Sequence, residues 1–419
     1  MILRLELEGE TPLFLGGYDT NFHPDDPFRT QSLKGLWRYW LRAYIAGAMH
    51  EIGLLKCEEG RYTVCDIRDR ELLKKLGEKT EDILGGLGSA SKFRIVVKKA
   101  WFETRYDRNV EQRIQQAPRV KLLALKKEKF SRQYHITPPS RRVTYGIGLH
   151  AEIEVKKAPH VRHLDENEIK LAFGSLLTAL SLNGLGKMGR RGFGTFSIKI
   201  DGPGIFSRFL KEKMLDFGMI GELISETLNA ARSYIREEGR GSGIPPMDCI
   251  SRVRVDLSDV QGSSKLFDKR EMPVFTVIKA EKRGNRALDY VLDLQNFFYR
   301  PERGKRIWGF EKTDADRSRD PLVRNRLSWF LGLPRSQKNT GYMNAERRAG
   351  PIHLAVHEAG AFFTFFLSGD WPKELRWRGY REKQLKIGLQ EIKNAYLTSV
   401  SLLEDYLSRI GYSYEVVFP

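Results

Sequence analysis

The densest group of residues able to do recognition chemistry is Asn183–Gly194, NGLGKMGRRGFG, with five glycines and three cations in twelve residues. Glycines such as Gly186 and Gly192 lack a Cβ, so the chain can take positive-φ turns and let another backbone come close. Lys187, Arg190 and Arg191 add charge, and a guanidinium forks onto phosphate oxygens. The run therefore reads as a loop that grips a phosphate chain. Its flanks fix its kind. Upstream, Asp165 and Glu168 form a capping-box pair, and Ile169, Phe173, Leu176, Leu177 and Leu180 recur at helical spacing. Downstream, Phe196, Ile198 and Ile200 alternate as in a half-buried strand. Gly184-Leu185-Gly186-Lys187-Met188-Gly189 satisfies GxGxxG, but a dinucleotide fingerprint leaves a strand and opens a helix, and this one does the reverse. Lys187 does not sit in a Walker A pattern either, so no nucleotide cofactor is expected. A plain helix-to-strand connection with solvated charges is the competing reading.

Groups for bond-breaking chemistry are sparser. His23, Asp25 and Asp26 fall in one loop, and metal-free RNA cleavage needs such a base with cations nearby. A His-Pro-Asp-Asp run is also ordinary turn chemistry, the reading adopted here. His353 and His357 stand at i, i+4 in a strand, about 13 Å apart and too far for one ion. HExxH is absent, and His160 and His163 beside Arg162 read as polar surface. No catalytic residue, metal ligand or cofactor is expected.

A second cationic element lies near the N-terminus. From Arg29 to Arg42 the chain reads as a helix with Ser32 as N-cap. Leu33, Leu36, Trp37, Trp40 and Leu41 form its apolar face, and Lys34, Arg38 and Arg42 fall at i, i+4 and i+8. Lys34 and Arg38 occupy the first two turns, where free N–H groups and the helix dipole favour phosphate.

These pieces need a frame. Leu3, Leu5 and Leu7 alternate as an opening strand, Phe93, Ile95 and Val97 as a second, and Leu149, Ala151, Ile153 and Val155 as a third. With the glycine-loop helix and the 196–200 strand, residues 1–204 run strand, helix, strand, strand, helix, strand. That order predicts an α+β, ferredoxin-like or RRM-like unit. Residues 205–250 read as a helical connector and linker, and 251–419 as a degenerate second copy. Its strands are expected at 253–257, 352–356, 362–367 and 412–418, with a final helix over about 381–409. Between about 100 and 146 a basic, aromatic-studded insertion suits an arm that tracks a nucleic-acid strand.

The whole composition agrees. There are 71 Lys and Arg against 53 Asp and Glu, a formal +18 with pI near 9.7, which favours a polyanionic partner such as nucleic acid. No apolar run spans a bilayer and no signal peptide is evident, so neither membrane nor secretion is expected. Cys57, Cys65 and Cys249 are too few and scattered for a disulfide framework or a four-thiolate zinc site, in keeping with a reducing cytoplasm.

Thr11-Pro12-Leu13-Phe14-Leu15-Gly16-Gly17, Arg29 with Ser32-Leu33-Lys34-Gly35-Leu36 and Arg38-Tyr39-Trp40, Gly85 with Ser89 and Ser91-Lys92-Phe93, and the glycine loop together resemble the RAMP proteins of CRISPR systems. Within them the pattern is most similar to the first-subunit family of the type III-B Cmr complex. Leu331-Gly332-Leu333-Pro334 and Arg347-Arg348 with Pro351 extend the resemblance to the second half. The resemblance implies tandem ferredoxin-like RAMP domains, only the first with a full glycine-rich loop. It also implies a non-catalytic subunit that binds guide RNA and target RNA near the guide's 3′ end beside other RAMP subunits, in antiviral defence. Arg29, Ser32, Lys34, Arg38 and Arg42 would line the RNA path with Gly186, Lys187, Arg190, Arg191 and Gly192. Some RAMP relatives cut RNA. The loop holding His23, Asp25 and Asp26 corresponds to the one where the complex's nuclease subunit carries its catalytic Asp, so an endoribonuclease processing CRISPR RNA is the alternative.

Overall fold

A computed structural model describes residues 2–14, 28–102, 112–114, 147–186, 188–260, 263–268, 270–299, 328–333, 336–337, 340–343, 348–378 and 383–419. Alternation drives the first strand, β1 (Ile2–Gly9): Leu3, Leu5 and Leu7 are buried while Arg4 and Glu6 face out. The unit continues with α1 (Thr30–Glu51), α2 (Arg70–Leu84), β2 (Phe93–Phe102), β3 (Leu149–Lys157), α3 (Glu166–Leu182) and β4 (Phe196–Asp201). The strands run antiparallel in the order β2-β3-β1-β4, which with this chain order is the ferredoxin-like winding. A hairpin of Leu210–Lys211 and Met214–Leu215 extends the β4 edge.

Local signals set several boundaries as expected. Asp165 and Glu168 form the capping box: Glu168 N–H donates to Asp165 Oδ1 at 2.7 Å, and Asp165 N–H to Glu168 Oε2 at 3.1 Å. Arg29, not Ser32, is the N-cap of α1; the helix begins at Thr30, leaving Ser32 inside its first turn. Trp37 and Trp40 are fully buried, and Trp37 Nε1 donates to Ala172 O at 2.8 Å, locking α1 onto α3. The connector is not a loose tether. Its helix α4 (Ile220–Ile235) packs against α1 and α3.

The second unit repeats the winding: β5 (Phe275–Glu281), α5 (Ala287–Leu294), β6 (Ile352–His357), β7 (Gly360–Phe366), α6 (Leu389–Arg409) and β8 (Ser413–Phe418), with sheet order β6-β7-β5-β8. Its opening strand is not the alternating stretch at 253–257. There, among the described residues, Arg254–Asp256 pairs only with Glu271–Pro273, and β5 takes a central place in its own sheet. Buried on both faces along most of its length, β5 lacks the period-two signature of a half-exposed strand. The final helix starts at Leu389 rather than 381, because Lys383–Lys386 pairs with Glu374–Arg378. Cys57 and Cys65 are joined by a disulfide across the short hairpin of Glu58–Glu59 and Cys65–Asp66. Too few cysteines for a framework is still enough for one local bond.

The two units share a core. Phe275, Val277, Phe362, Phe366 and Phe418 of the second pack into the same buried cluster as Leu3, Leu33 and Trp40 of the first. Most of the 100–146 insertion lies outside the described residues, but Arg113 pairs with Asp289 of α5 and Ile114 is buried. No helix among the described residues is long and apolar enough to cross a membrane.

Candidate nucleic-acid interface

The glycine loop is built by close backbone approaches. Gly184 N–H donates to Gly189 O at 2.8 Å and Leu185 N–H to Gly194 O at 2.8 Å, so the loop folds on itself. A Cβ on Gly184 would stand 1.8 Å from Phe193 O, and one on Gly189 1.8 Å from Gly184 O. Gly186 turns at φ +84° against Phe14 O and remains exposed at the tip. Here the glycines serve the loop's own shape first.

The same loop is tied to the second unit. Gly192 N–H donates to Leu354 O at 2.8 Å and Leu354 N–H to Arg190 O at 3.2 Å, a parallel bridge onto β6. Thr195 Oγ1 donates to Val356 O at 2.5 Å. Because β6 is an edge strand of its sheet, the loop covers that edge. Gly192 is buried at φ +82° between Leu354 and Val356. Arg191 donates to Ile352 O at 2.6 Å and lies 4.1 Å over the Phe298 ring. Its charge is spent holding the seam.

Arg190 points the other way. Its guanidinium sits 4.8 Å above the ring of Tyr39 on α1, so loop and helix meet at this pair. Gly35 lies one turn before Tyr39 on the same helix face, with Ser32 about two turns before it. Gly35 is exposed, and a Cβ there would meet nothing within 4 Å. An exposed glycine inside a helix costs about 1 kcal/mol against alanine, and no intramolecular contact of Gly35 accounts for it. Beneath, Tyr39 and Trp40 pack with His353 and Phe366 at ring distances of 5.3–6.3 Å. Burial, then the charges of Arg190 and Arg191, hold the His353 imidazole well below its usual range, which keeps it neutral.

The cations of α1 divide likewise. Arg38 donates to Leu84 O at 3.2 Å and Gly85 O at 2.6 Å, capping the C-terminus of α2. Lys34 is half-buried and Arg42 exposed, and no salt bridge among the described residues engages either. The first turn of α1 has no acidic residue and no side-chain cap. Arg29 is half-buried at the N-cap. Of the residues expected to act together, the structure brings Ser32 and Arg190 to one face and places Lys34 and Arg42 on the same helix. Arg38, Arg191 and Gly192 instead serve internal contacts. Lys187 lies outside the described residues, as do His23, Asp25 and Asp26. Tyr39 went unrecognised as a site residue in the sequence, though it stands next to Arg38 and carries the contact that joins helix and loop.

The open sheet face, which RRM proteins use, has a different character. Arg4 pairs with Glu154 and Asp201, Lys199 with Glu6, and Lys98 and Lys156 with Glu154. Lys156 foremost, with Lys98 and Arg4, brings the Glu154 carboxyl down to about 2. Four cations of this face are thus matched by carboxylates, and Trp101 stacks on His150 at one end. No group of His, Cys, Asp and Glu among the described residues is arranged to hold a metal.

Residues 6–197, the first ferredoxin-like unit with its glycine loop, match the RAMP superfamily. The match covers this unit, a little under half of the chain. Among solved structures, Cmr1 from Pyrococcus furiosus in its apo form shares the fold at TM-score 0.50 and 16% identity, over 100% of this chain and 99% of that one. A chain of the type III-B Cmr-beta complex bound to cognate target RNA and AMPPnP, in the presence of single-stranded DNA, aligns at TM-score 0.56 and 15% identity over 97% and 99%. No curated protein matches the sequence.

Proposed function

We propose that this chain is a non-catalytic RNA-binding RAMP subunit of a type III-B CRISPR effector of the Cmr kind. It holds guide and target RNA near the guide's 3′ end beside other RAMP subunits, in the cytoplasm and in antiviral defence. The observation that carries the reading is the junction of α1 with the glycine loop, where Arg190 lies over Tyr39 beside an open Gly35. Lys34 and Arg42 on the same helix and the uncapped start of α1 add positive charge, and a formal charge of +18 suits a polyanionic partner. The fold supports the assignment, since a chain of a target-RNA-bound Cmr-beta complex aligns over almost its full length. Tandem RAMP domains at 1–204 and 251–419, joined through 205–250, are the division that this reading implies. Arg29, Ser32, Lys34, Arg42, Gly186, Lys187 and Arg190 are proposed to meet RNA directly, whereas Arg38, Arg191 and Gly192 shape the surface they stand on.

The test is binding of a labelled single-stranded RNA by the purified chain across a salt series, with the RNA recovered and sized afterwards. Salt-dependent binding, weakened in Arg190→Ala and Lys34→Ala and leaving the RNA intact, is the expected result. Discrete cleavage products that vanish in His23→Ala would replace this reading with the endoribonuclease one.

A further inference from the structure

Between α1 and α2 the chain detours through a hairpin closed by the Cys57–Cys65 disulfide. Its outward bonds go to the segment after β7 in the second unit. Val64 N–H donates to Trp371 O at 2.8 Å, Cys65 N–H to Gly369 O at 2.8 Å, and Lys373 N–H to Tyr62 O at 2.9 Å. Lys373 also pairs with Glu59 at 2.5 Å. Cys65 is buried, and its Sγ lies 2.1 Å from where a Cβ on Gly369 would stand, so only glycine admits the sulfur. The same segment leads to the cationic face. Ser368 Oγ donates to Asp248 Oδ1 at 2.6 Å, Tyr39 Oη donates to Asp248 Oδ2 at 3.3 Å, and the Tyr39 ring carries Arg190.

We propose that the disulfide-closed hairpin fastens the platform under Arg190, so that thiol reduction loosens the Ser368–Lys373 segment and weakens the grip on RNA. The second half rests on the RNA-binding reading; the first does not. Cys57 is half-buried and Cys65 buried, so the thiolate of an external dithiol attacks Cys57 Sγ. The S–S bond breaks, a mixed disulfide forms on Cys57, and Cys65 leaves as a thiolate that takes up a proton. The second thiol of the reagent then closes on the mixed disulfide, releasing Cys57 as a thiol and the reagent as its cyclic disulfide. Two electrons pass to the protein. Chain freedom returns to the hairpin, and its bonds to Gly369–Lys373 lose their rigid partner. Cys249 takes no part: burial first, then Asp248 and Glu51, raise its thiol well above the usual range.

The experiment uses the full chain, oxidised or treated with dithiothreitol, alongside Cys57→Ser. Alkylation and mass measurement report the bond, amide hydrogen exchange reports residues 60–66 and 369–373, and titration with a single-stranded RNA oligonucleotide reports the grip. Expected are two additional alkylated cysteines after reduction, faster exchange in both segments and an RNA affinity about fivefold lower. Cys57→Ser should show the same exchange without dithiothreitol and no further change with it. Alkylation of Cys57 and Cys65 without reductant, or unchanged exchange at 369–373 after demonstrated reduction, overturns the fastener. Faster exchange with unchanged RNA affinity overturns its link to Arg190. Faster exchange in a chain that binds no RNA in either state upholds the fastener and removes the RNA-binding reading.

Discussion

Arg190 and Arg191 are neighbours in sequence with opposite duties, and the difference is measurable. Arg190→Ala should leave the melting temperature nearly unchanged while weakening RNA binding, and should reduce the slope of log affinity against log salt by about 0.7, the share of one phosphate contact on a single strand. Arg191→Ala removes a 2.6 Å bond to Ile352 O and a stacking partner for Phe298, so it should cost about 2 kcal/mol in denaturant unfolding. RNA binding in that variant should fall only as far as the fold does. The sequence offers the two as equals, because a run of Gly and Arg reveals charge but not which guanidinium turns inward. That choice follows from β6, whose edge carbonyl at Ile352 lies 161 residues away along the chain. Tyr39 escaped notice for a related reason: an aromatic residue between Arg38 and Trp40 looks like core until Arg190 is found above it.

At the level of elements, the C-terminus of α1 carries a pH-sensitive joint. His50 is buried between Gly243 O, at 3.1 Å from Nε2, and Ser251 Oγ, at 3.1 Å from Nδ1, and burial brings its imidazole down to about 4. In the unfolded chain the same group titrates near its ordinary value, about 6.5. The folded state therefore holds the neutral ring, and its stabilisation is complete above about pH 6.5. It declines as pH falls from there towards 4, by up to about 3 kcal/mol. Chemical denaturation of the wild type and His50→Gln at stepped pH should show the variant losing less over this interval. The elements themselves were legible wherever one face met water. β1, β3 and β4 alternate and were readable; β5 is enclosed on both sides and was not. Asp165 and Glu168 announced the start of α3 by their spacing alone. The Cys57–Cys65 hairpin left only two cysteines eight residues apart as its trace.

As a whole molecule, the chain is two copies of one winding whose hydrophobic interiors run together through Trp40, His353, Phe275 and Phe366. His357 adds a further tie, with Nδ1 at 2.7 Å from Glu10 Oε2 and Nε2 at 2.7 Å from Ser181 O. The 419-residue chain should thus unfold in one calorimetric transition, with equal van't Hoff and calorimetric enthalpies. Residues 1–204 produced alone should bind a hydrophobic dye and aggregate, since their share of the seam would face water. Two resolved transitions, or a well-folded monomeric fragment, would show that the seam is dispensable. Repetition of the fold was visible in the order of strands and helices, while the seam was not, because its contacts join residues with no pattern in common.

The glycine loop's place along β6 bears on how such a protein can change over generations. A segment whose amides and carbonyls are matched to a particular strand in the other half cannot be transplanted as a cassette. Altering its length or hand would leave Leu354 and Val356 without their companions. Novelty in what the surface grips should therefore arise on the exposed side of α1, at positions such as Gly35 and Arg42 that no close neighbour or salt bridge among the described residues constrains, and the stem of the loop should drift only in step with β6.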